Sequence, residues 1–188
     1  GFTGDFDLPN LTAYAETCAA IGLIFWGHKM LELTGNTDYA DVMERARYNG
    51  ALSGISLSGD RFFYTNPLES RANHERVPWF LCACCPPNIA RLIGNVAHYV
   101  AGVSDDTLYL HMPVGFSAPL ELGGGKVKVE STANYPWSGD AEVIITPDRP
   151  REFSVAVRIP GWADDASFEI EGAEEEAEFS DGYAVFTR

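Results

Sequence analysis

Long apolar runs are missing from this chain of 188 residues, and basic side chains are scarce. The most apolar run without a charge covers the twelve residues 17–28, whereas a membrane-spanning helix needs about 20 such residues. Lys and Arg number 13 against 27 Asp and Glu, a net charge of -14. So acidic a protein is repelled by DNA, RNA and anionic lipid. The composition therefore argues against nucleic-acid and membrane partners and favours a neutral ligand.

Several catalytic patterns are absent as well. No Ser-His-Asp order, Gly-rich phosphate loop or nucleic-acid motif is found, and only four histidines are present. His28 and His98 fall in predicted helices and His111 in a predicted strand, where a packing role is expected. His74 lies in a polar loop before a cysteine cluster and is a secondary candidate ligand.

Cysteine is rare but concentrated. Three of the four cysteines lie in the run Cys82-Ala83-Cys84-Cys85-Pro86-Pro87, and the fourth is Cys18. Adjacent cysteines rarely pair with each other, because the peptide between them must strain to reach disulfide geometry. The spacing does not suit a disulfide framework either. Metal binding or catalysis is the expected use, and a reducing, cytoplasmic compartment the expected location.

The first hundred residues read as helical. Asn10 or Thr12 can cap a first helix that ends at Gly35, and its residues 13–28 are apolar nearly all round, which predicts burial on most sides. A second helix is predicted over residues 37–54 and a short strand-like pair over residues 61–65.

A third helix is expected to open at Pro86-Pro87, since proline is tolerated in a first turn. Apolar residues at helical spacing continue it, and Gly102 is predicted to end it. From residue 106 the apolar period switches to two, with short strands between Gly, Pro and Asp turns, which predicts a sandwich. The expected domains are residues 1–102, with a net charge of -3, and residues 103–188, with a net charge of -11.

The residues with metal-ligand chemistry are Glu16, Cys18, Cys84 and Cys85. Thiolates with a carboxylate form a set of ligands that suits tetrahedral zinc. Positions i and i+2 of an ideal helix point about 200° apart, so convergence of Glu16 and Cys18 requires a distorted or late-starting helix. Cys84 and Cys85 precede proline, which predicts extended backbone with splayed thiols, beside a helix start that favours thiolate. Cys82 is expected to be a buried apolar filler.

Three stretches resemble a known family. They are Asp7-Leu8-Pro9-Asn10, residues 13–22 around Glu16-Thr17-Cys18, and residues 79–91 around Cys84-Cys85; a later segment, Arg158-Ile159-Pro160-Gly161-Trp162-Ala163, adds to them. They resemble the β-L-arabinofuranosidases of glycoside hydrolase family 127. The resemblance implies an α+β chain, with the C-terminal helices of an (α/α)6 barrel followed by an antiparallel β-sandwich truncated at its C-terminus.

The resemblance also implies roles for single residues. Cys84 matches the nucleophile, which forms a thioglycosyl intermediate, and Glu16, Cys18, Cys84 and Cys85 match the ligands of Zn²⁺. Glu44 and Tyr64 fall where the family places side chains that contact the sugar. The implied partner is an arabinose-containing oligosaccharide or glycoconjugate, and nothing indicates an oligomeric state.

One departure concerns the acid/base glutamate of the family, which would fall immediately before Gly1. Together with an end in a strand-like pattern at residues 186–188, this predicts a piece of a longer retaining glycosidase that is inactive by itself. Two alternatives stay open. One is a non-catalytic carbohydrate-binding or structural module stapled by a closed zinc site, and the other is redox sensing by Cys82, Cys84 and Cys85.

Overall fold

The chain combines helices and sheets in two compact units. The computed structural model describes residues 4–7 and 9–188, so Leu8 of the Asp7-Leu8-Pro9-Asn10 motif lies outside the described residues. The first unit comprises residues 1–34 and 39–95, and the second comprises residues 35–38 and 96–188. The helices concentrate in the first unit and the sheets in the second.

Among the described residues, three α-helices form most of the helical part. They are α1 (Thr17–Thr34), α2 (Asp38–Ala46) and α3 (Cys85–Gly94). The second predicted helix does extend to Gly54, but its end is a π-helix, Arg47–Ala51, followed by a 3-10 turn, Leu52–Gly54. The buried apolar side chains of this unit are Ile21, Ile24, Leu31, Met43, Ile89 and Leu92. The predicted strand pair at residues 61–65 forms only isolated bridges, at Phe62 and Thr65.

The first helix begins later than its capping signals predict. Instead of starting after Asn10 or Thr12, α1 starts at Thr17, whose backbone N–H donates to the carbonyl of Tyr64 at 3.0 Å. Glu16 forms an antiparallel bridge with Thr65. Pairing with a distant segment therefore keeps Glu16 out of the helix and delays the helix start, which confirms the expectation of a late start near Glu16.

α1 packs closely against the segment that follows α2. A Cβ atom added to Gly27 would lie 2.8 Å from Met43 Cγ, and one added to Gly50 would lie 2.6 Å from Ala20 Cβ. Real Cβ atoms do not approach so closely, because protein interiors are packed to the density of organic crystals. Gly27 thus allows the close approach of α2 to α1, and Gly50 allows the close approach of the π-helix to α1.

The expected burial of α1 on most sides is wrong for this chain. Trp26 is 54% exposed and Leu33 is 79% exposed, because the described parts of the first unit cover only one face of the helix. Among the helices of the described residues, none has both the length and the apolar character that a membrane crossing requires.

The third helix differs from two predictions, one about the backbone at its start and one about its end. Cys84 is its N-cap with φ −75° and ψ −32°, and Cys85 is its first residue, so the backbone is helical rather than extended before the prolines. The helix ends at Gly94, and Gly102 lies in a strand instead of ending a helix. Proline disfavours helical backbone in the preceding residue without forbidding it, and here packing of α3 on α1 overrides the local preference.

The second unit contains ten strands. They are β1 (Ala101–Ser104), β2 (Thr107–Leu110), β3 (Phe116–Leu122), β4 (Gly125–Ala133), β5 (Ala141–Pro147), β6 (Ser154–Arg158), β7 (Glu169–Ile170), β8 (Ala173–Glu174), β9 (Glu178–Ser180) and β10 (Tyr183–Thr187). A five-stranded sheet has the order β1-β2-β6-β10-β9, and a three-stranded sheet has the order β3-β4-β5. The remaining pair is the small β7-β8 ribbon.

The two larger sheets share one core, so the predicted sandwich is present. Its buried residues come from both sheets: Leu108, Leu110, Leu122, Val127 and Val129. The expectation of a wholly antiparallel sandwich is wrong, because β2 and β6 pair in parallel, from Thr107 with Ser154 to Leu110 with Val157. The chain leaves the first sheet after β2, builds β3 to β5 in the second sheet, and returns beside β2 in the same direction.

A buried tyrosine makes the stability of this unit sensitive to alkaline pH. Tyr183 is 3% exposed, and its hydroxyl lies 2.9 Å from His111 Nδ1. Burial raises the pKa of Tyr183 from 10.0 to about 12. A pKa that is higher in the folded state gives stability that is present below pH 10 and lost as the pH rises to about 12. The loss amounts to about 2–3 kcal/mol.

The measurement is urea unfolding of the chain and of Tyr183→Phe at about pH 9 and about pH 12. We expect the wild-type advantage in unfolding free energy to shrink by about 2–3 kcal/mol across this range, since phenylalanine cannot ionise. An advantage that stays constant would show that Tyr183 ionises as easily in the folded chain as in the unfolded one.

Candidate metal centre

Four potential ligand atoms converge in the first unit. They belong to Glu16, Cys18, Cys84 and Cys85, and they all lie within 4.8 Å of one another. Cys18 Sγ is 3.5 Å from Cys85 Sγ, Cys84 Sγ is 3.7 Å from Cys85 Sγ, and Cys84 Sγ is 3.5 Å from Glu16 Oε1. The structure thus brings together the four residues that the sequence singled out as ligands.

The distances fit a small tetrahedral cation. Zinc–ligand bonds of about 2.3 Å to sulfur and about 2.0 Å to oxygen place two sulfur ligands about 3.8 Å apart, and a sulfur and an oxygen about 3.5 Å apart. The observed separations of 3.5 and 3.7 Å between sulfurs and 3.5 Å from sulfur to oxygen are close to these tetrahedral edges. The donor atoms, three thiols and a carboxylate, are those that such a cation prefers.

Two junctions between extended chain and helix position the ligands. Glu16 is the last residue before α1 and Cys18 the second residue of that helix, so the 200° divergence of an ideal helix does not apply to them. Cys84 and Cys85 sit at the first turn of α3. Because α1 packs against α3, the two junctions meet, with Cys85 fully buried and the other three residues partly exposed.

Burial and the neighbouring thiols disfavour ionisation of Cys84 and Cys85. Burial, followed by the hydrogen bond with Cys18, raises the pKa of the Cys84 thiol. Burial likewise raises the pKa of Cys85 far above its usual range, and the neighbouring thiols add to the effect. The predicted stabilisation of the thiolate by the start of α3 is therefore smaller than the opposing effect of burial. A nearby cation is the group that can reverse these shifts, because it favours the thiolate over the thiol.

An aromatic cluster lies beside the metal centre. The ring of Tyr64 makes edge contacts with Tyr14 at 5.9 Å and with Phe80 at 5.7 Å between centroids. A hydrogen bond with the Tyr14 side chain raises the pKa of Tyr64, and burial and the Glu16 charge add to the shift. The Tyr64 carbonyl is 4.0 Å from Cys85 Sγ. The backbone of Tyr64 therefore lies next to the ligand group, and its sugar-contacting role stays a prediction.

The other candidates lie outside the group of four. Glu44 is 5% exposed on α2, so its sugar-contacting role stays a prediction. His74 stacks on the Phe63 ring with centroids 4.5 Å apart, and its Nε2 is 2.8 Å from the Thr65 carbonyl, which is a packing role. Cys82 is exposed, so the expectation of a buried filler is wrong.

Sequence reasoning overlooked several neighbours of the site. Tyr14 and Phe80 were available as aromatic residues next to ligand-bearing segments, but nothing local shows that both face Tyr64. Thr17, between two ligands, and Asn66, before a proline, carry hydrogen bonds to the residues around Glu16. Their partners are about 50 residues away, so spacing along the chain contains no signal for them.

Two family models match consecutive parts of the chain. The catalytic-domain model of the glycoside hydrolase family 127 β-L-arabinofuranosidases matches residues 1–98, and the middle-domain model of the same family matches residues 107–188. Each match falls almost wholly within one of the two compact units.

Individual relatives agree with the family models. A curated relative, the non-reducing end β-L-arabinofuranosidase of Bifidobacterium longum subsp. longum, is 39% identical over 178 residues, which cover 86% of this chain and 27% of the relative. Among solved structures, a β-L-arabinofuranosidase of family 127 from Geobacillus stearothermophilus T6 is 46% identical with a TM-score of 0.93. A β-arabinofuranosidase of family 127 is 37% identical with a TM-score of 0.91. This chain is covered completely by both structures, and it spans 32% of each.

Proposed function

Because the chain belongs to glycoside hydrolase family 127, the β-L-arabinofuranosidases, we propose that it forms part of a retaining β-L-arabinofuranosidase with Cys84 as its nucleophile. The observation that carries the proposal is the convergence of Glu16, Cys18, Cys84 and Cys85 within 4.8 Å. The chain spans about a third of its relatives or less. The activity is therefore proposed for the longer parent protein, meaning this chain with the flanking residues that its relatives possess.

The residues of the cluster would hold Zn²⁺. A bound zinc ion would supply the positive charge that keeps the thiols ionised near neutral pH. Cys84 is the candidate nucleophile because it matches the nucleophile of the family, and it is partly exposed, whereas Cys85 is fully buried beside it. Thiolate is also the most nucleophilic side chain available here. Glu16, whose Oε1 is 3.5 Å from Cys84 Sγ, influences the charge at that sulfur.

The chemistry follows the retaining pattern. Cys84 Sγ attacks the anomeric carbon, a carbon–sulfur bond forms, and the bond to the leaving oxygen breaks as that oxygen takes a proton. Water then attacks the same carbon and gives a proton to the conjugate base of the proton donor, while the thiolate leaves with the sulfur–carbon electron pair and arabinose is released. The proton donor is expected to be a glutamate ahead of Gly1, in a parent whose helical part completes an (α/α)6 barrel.

The sugar is proposed to lie against the aromatic cluster. Tyr64 is a suitable contact because its ring edge faces Tyr14 and Phe80 beside the cluster, and Glu44 is retained as a second contact. An acidic protein suits a neutral arabinose-containing oligosaccharide or glycoconjugate rather than an anionic ligand. The cytoplasmic location expected from the cysteine spacing is retained as part of the proposal.

A hydrolysis assay tests the proposal. We expect the parent protein to release arabinose from a β-L-arabinofuranoside with retention of the anomeric configuration, and the 188-residue chain to release none. Nuclear magnetic resonance of the first-formed sugar gives the configuration. Inversion in the parent would contradict the cysteine nucleophile, and turnover by the chain alone would contradict an acid/base residue outside it.

One observation favours a second candidate function. Four protein ligands around a single cation are typical of closed structural zinc sites, whereas catalytic sites keep an open position. The second candidate is thus a non-catalytic carbohydrate-binding or structural module whose fold is stabilised by a closed zinc site. An arabinofuranosyl haloacetamide separates the two in the parent protein. Labelling of Cys84 supports the enzyme, and metal binding without labelling supports the module.

A further inference from the structure

We propose that Thr17 and Asn66 are positioning residues that bring Glu16 and Cys18 onto one metal ion, an inference that rests on the proposed function of this site. The two ligands are two positions apart, and they converge only because extended chain changes to helix between them. A shift of that junction by one residue would turn one of the ligands away. The position of the junction is therefore part of the metal site.

The backbone before the ligands is strained and needs support. Ala15 has φ +32°, a left-handed conformation that residues with a Cβ rarely adopt and that surrounding contacts must hold in place. The Ala15 carbonyl accepts two hydrogen bonds from Asn66, one from the backbone N–H at 3.1 Å and one from Nδ2 at 3.1 Å. Asn66 thus holds the residue directly before Glu16.

The same amide reaches across to the start of the helix. Asn66 Nδ2 donates to Thr17 Oγ1 at 2.9 Å, and Thr17 Oγ1 donates to the Phe63 carbonyl at 2.9 Å. A hydroxyl that gives its proton to a carbonyl must accept from its other partner, so this network orients the Asn66 amide. Thr17 is fully buried. One amide therefore joins the residue before Glu16 to the residue before Cys18.

The Thr17 side chain at the junction is tightly packed against Gly54. A Cβ added to Gly54 would lie 2.6 Å from both Thr17 Cγ2 and Thr17 Oγ1, and the Gly54 carbonyl accepts from the Phe63 N–H at 2.9 Å. Gly54 therefore packs directly against the Thr17 side chain. Any larger residue there would push Thr17 and, with it, the backbone between the two ligands.

The segment that holds Thr17 is itself anchored. The Arg76 guanidinium lies 4.5 Å from the centre of the Phe63 ring and donates to the Ser53 carbonyl from Nε at 3.0 Å and from Nη2 at 2.7 Å. His74 Nε2 shares a hydrogen bond with the Thr65 carbonyl at 2.8 Å. The segment that supplies the partners of Thr17 and Ala15 thus has hydrogen bonds and a ring contact of its own.

A matched pair of substitutions tests the role of Thr17. Thr17→Val keeps the shape but loses the hydroxyl, and Thr17→Ser keeps the hydroxyl. The measurements on the chain are the Zn²⁺ dissociation constant, from competition with a chelator under reducing conditions, and the Co²⁺ absorption spectrum, which reports tetrahedral thiolate coordination. We expect Thr17→Val and Asn66→Ala to weaken Zn²⁺ binding roughly 10- to 100-fold and to alter the Co²⁺ spectrum, since residues that orient ligands have effects of that size.

The controls separate positioning from simple loss of stability. Thr17→Ser should bind Zn²⁺ within about twofold of the unsubstituted chain because the orienting hydroxyl remains. Ile24→Val removes one methylene from the buried face of α1, away from the ligands, and should lower stability while leaving both metal readouts unchanged. Thermal unfolding of the metal-free proteins gives the stability of each variant.

The outcomes are distinguishable. If Thr17→Val and Asn66→Ala lose stability but keep the unsubstituted Zn²⁺ affinity and Co²⁺ spectrum, the two residues only support the fold and the positioning role is overturned. If Thr17→Ser weakens binding as much as Thr17→Val, the hydroxyl is not the orienting group. If the unsubstituted chain binds neither ion, the proposed metal site itself fails, and this inference fails with it.

Discussion

Replacement of Cys84 by serine should lower kcat/KM of the parent protein for a β-L-arabinofuranoside by at least about 10⁴-fold. A serine hydroxyl is a poor nucleophile without a general base. The residues around Cys84 are two further thiols and a carboxylate, which are arranged as ligands rather than as a base. Steady-state kinetics on the purified variant gives the ratio directly.

Cys82→Ser is the matched control for this substitution. Cys82 is an exposed thiol two residues away, and it is outside the ligand group, so its loss should leave kcat/KM within about twofold. Mass spectrometry of the peptide that contains Cys84, after rapid quenching with a slow substrate, should reveal a covalently bound arabinosyl group. If Cys84→Ser retains a tenth or more of the activity, or if the label is found on another residue, Cys84 is not the nucleophile.

Removal of one metal ligand should weaken zinc binding almost as severely. Structural zinc sites bind with roughly 10–16 kcal/mol, or about 3–4 kcal/mol for each of four ligands. Cys18→Ala should therefore raise the Zn²⁺ dissociation constant roughly 100- to 1,000-fold. The loss of Cys18 also removes the sulfur nearest to Cys85, at 3.5 Å. Chelator competition on the 188-residue chain measures the change without any requirement for activity.

The comparison variant is again a substitution of Cys82, this time by alanine. It leaves all four proposed ligands in place and should bind Zn²⁺ as the unsubstituted chain does. Equal weakening by Cys82→Ala and Cys18→Ala would mean that the ligand set is wrong and that the metal is held by a different trio of thiols. Unchanged binding in Cys18→Ala would place the metal on the Cys84–Cys85 side alone.

The chemistry of the site could be anticipated from residue types. Three thiols and a carboxylate in two short segments are unusual enough to indicate a metal, and the family resemblance of the same segments is confirmed by the family models. The periodicities were informative too. Alternating residues after position 106 predicted strands, and two of them, Leu108 and Leu110, lie in the shared core of the sandwich.

The wrong predictions are explained by contacts between residues that are distant in the sequence. The start of α1 was misplaced from Asn10 or Thr12 because the backbone of Thr17 bonds to Tyr64, a partner that capping rules do not consider. Cys84 was expected to be extended because proline follows Cys85, but packing of the helix prevailed over that local preference. The parallel pairing of β2 with β6 depends on the order in which strands enter two sheets, which periodicity along one strand does not encode.

The sequence by itself therefore determined the kind of chemistry that this protein can perform, because the affinity of thiols and carboxylates for a borderline cation such as Zn²⁺ belongs to the side chains themselves. Only the tertiary structure decided that Glu16 and Cys84, 68 positions apart, lie 3.5 Å from each other. That distance results from helix packing and from hydrogen bonds between remote segments. Such contacts form only when the whole unit folds, since their free energy comes from burial and pairing that no local stretch can provide.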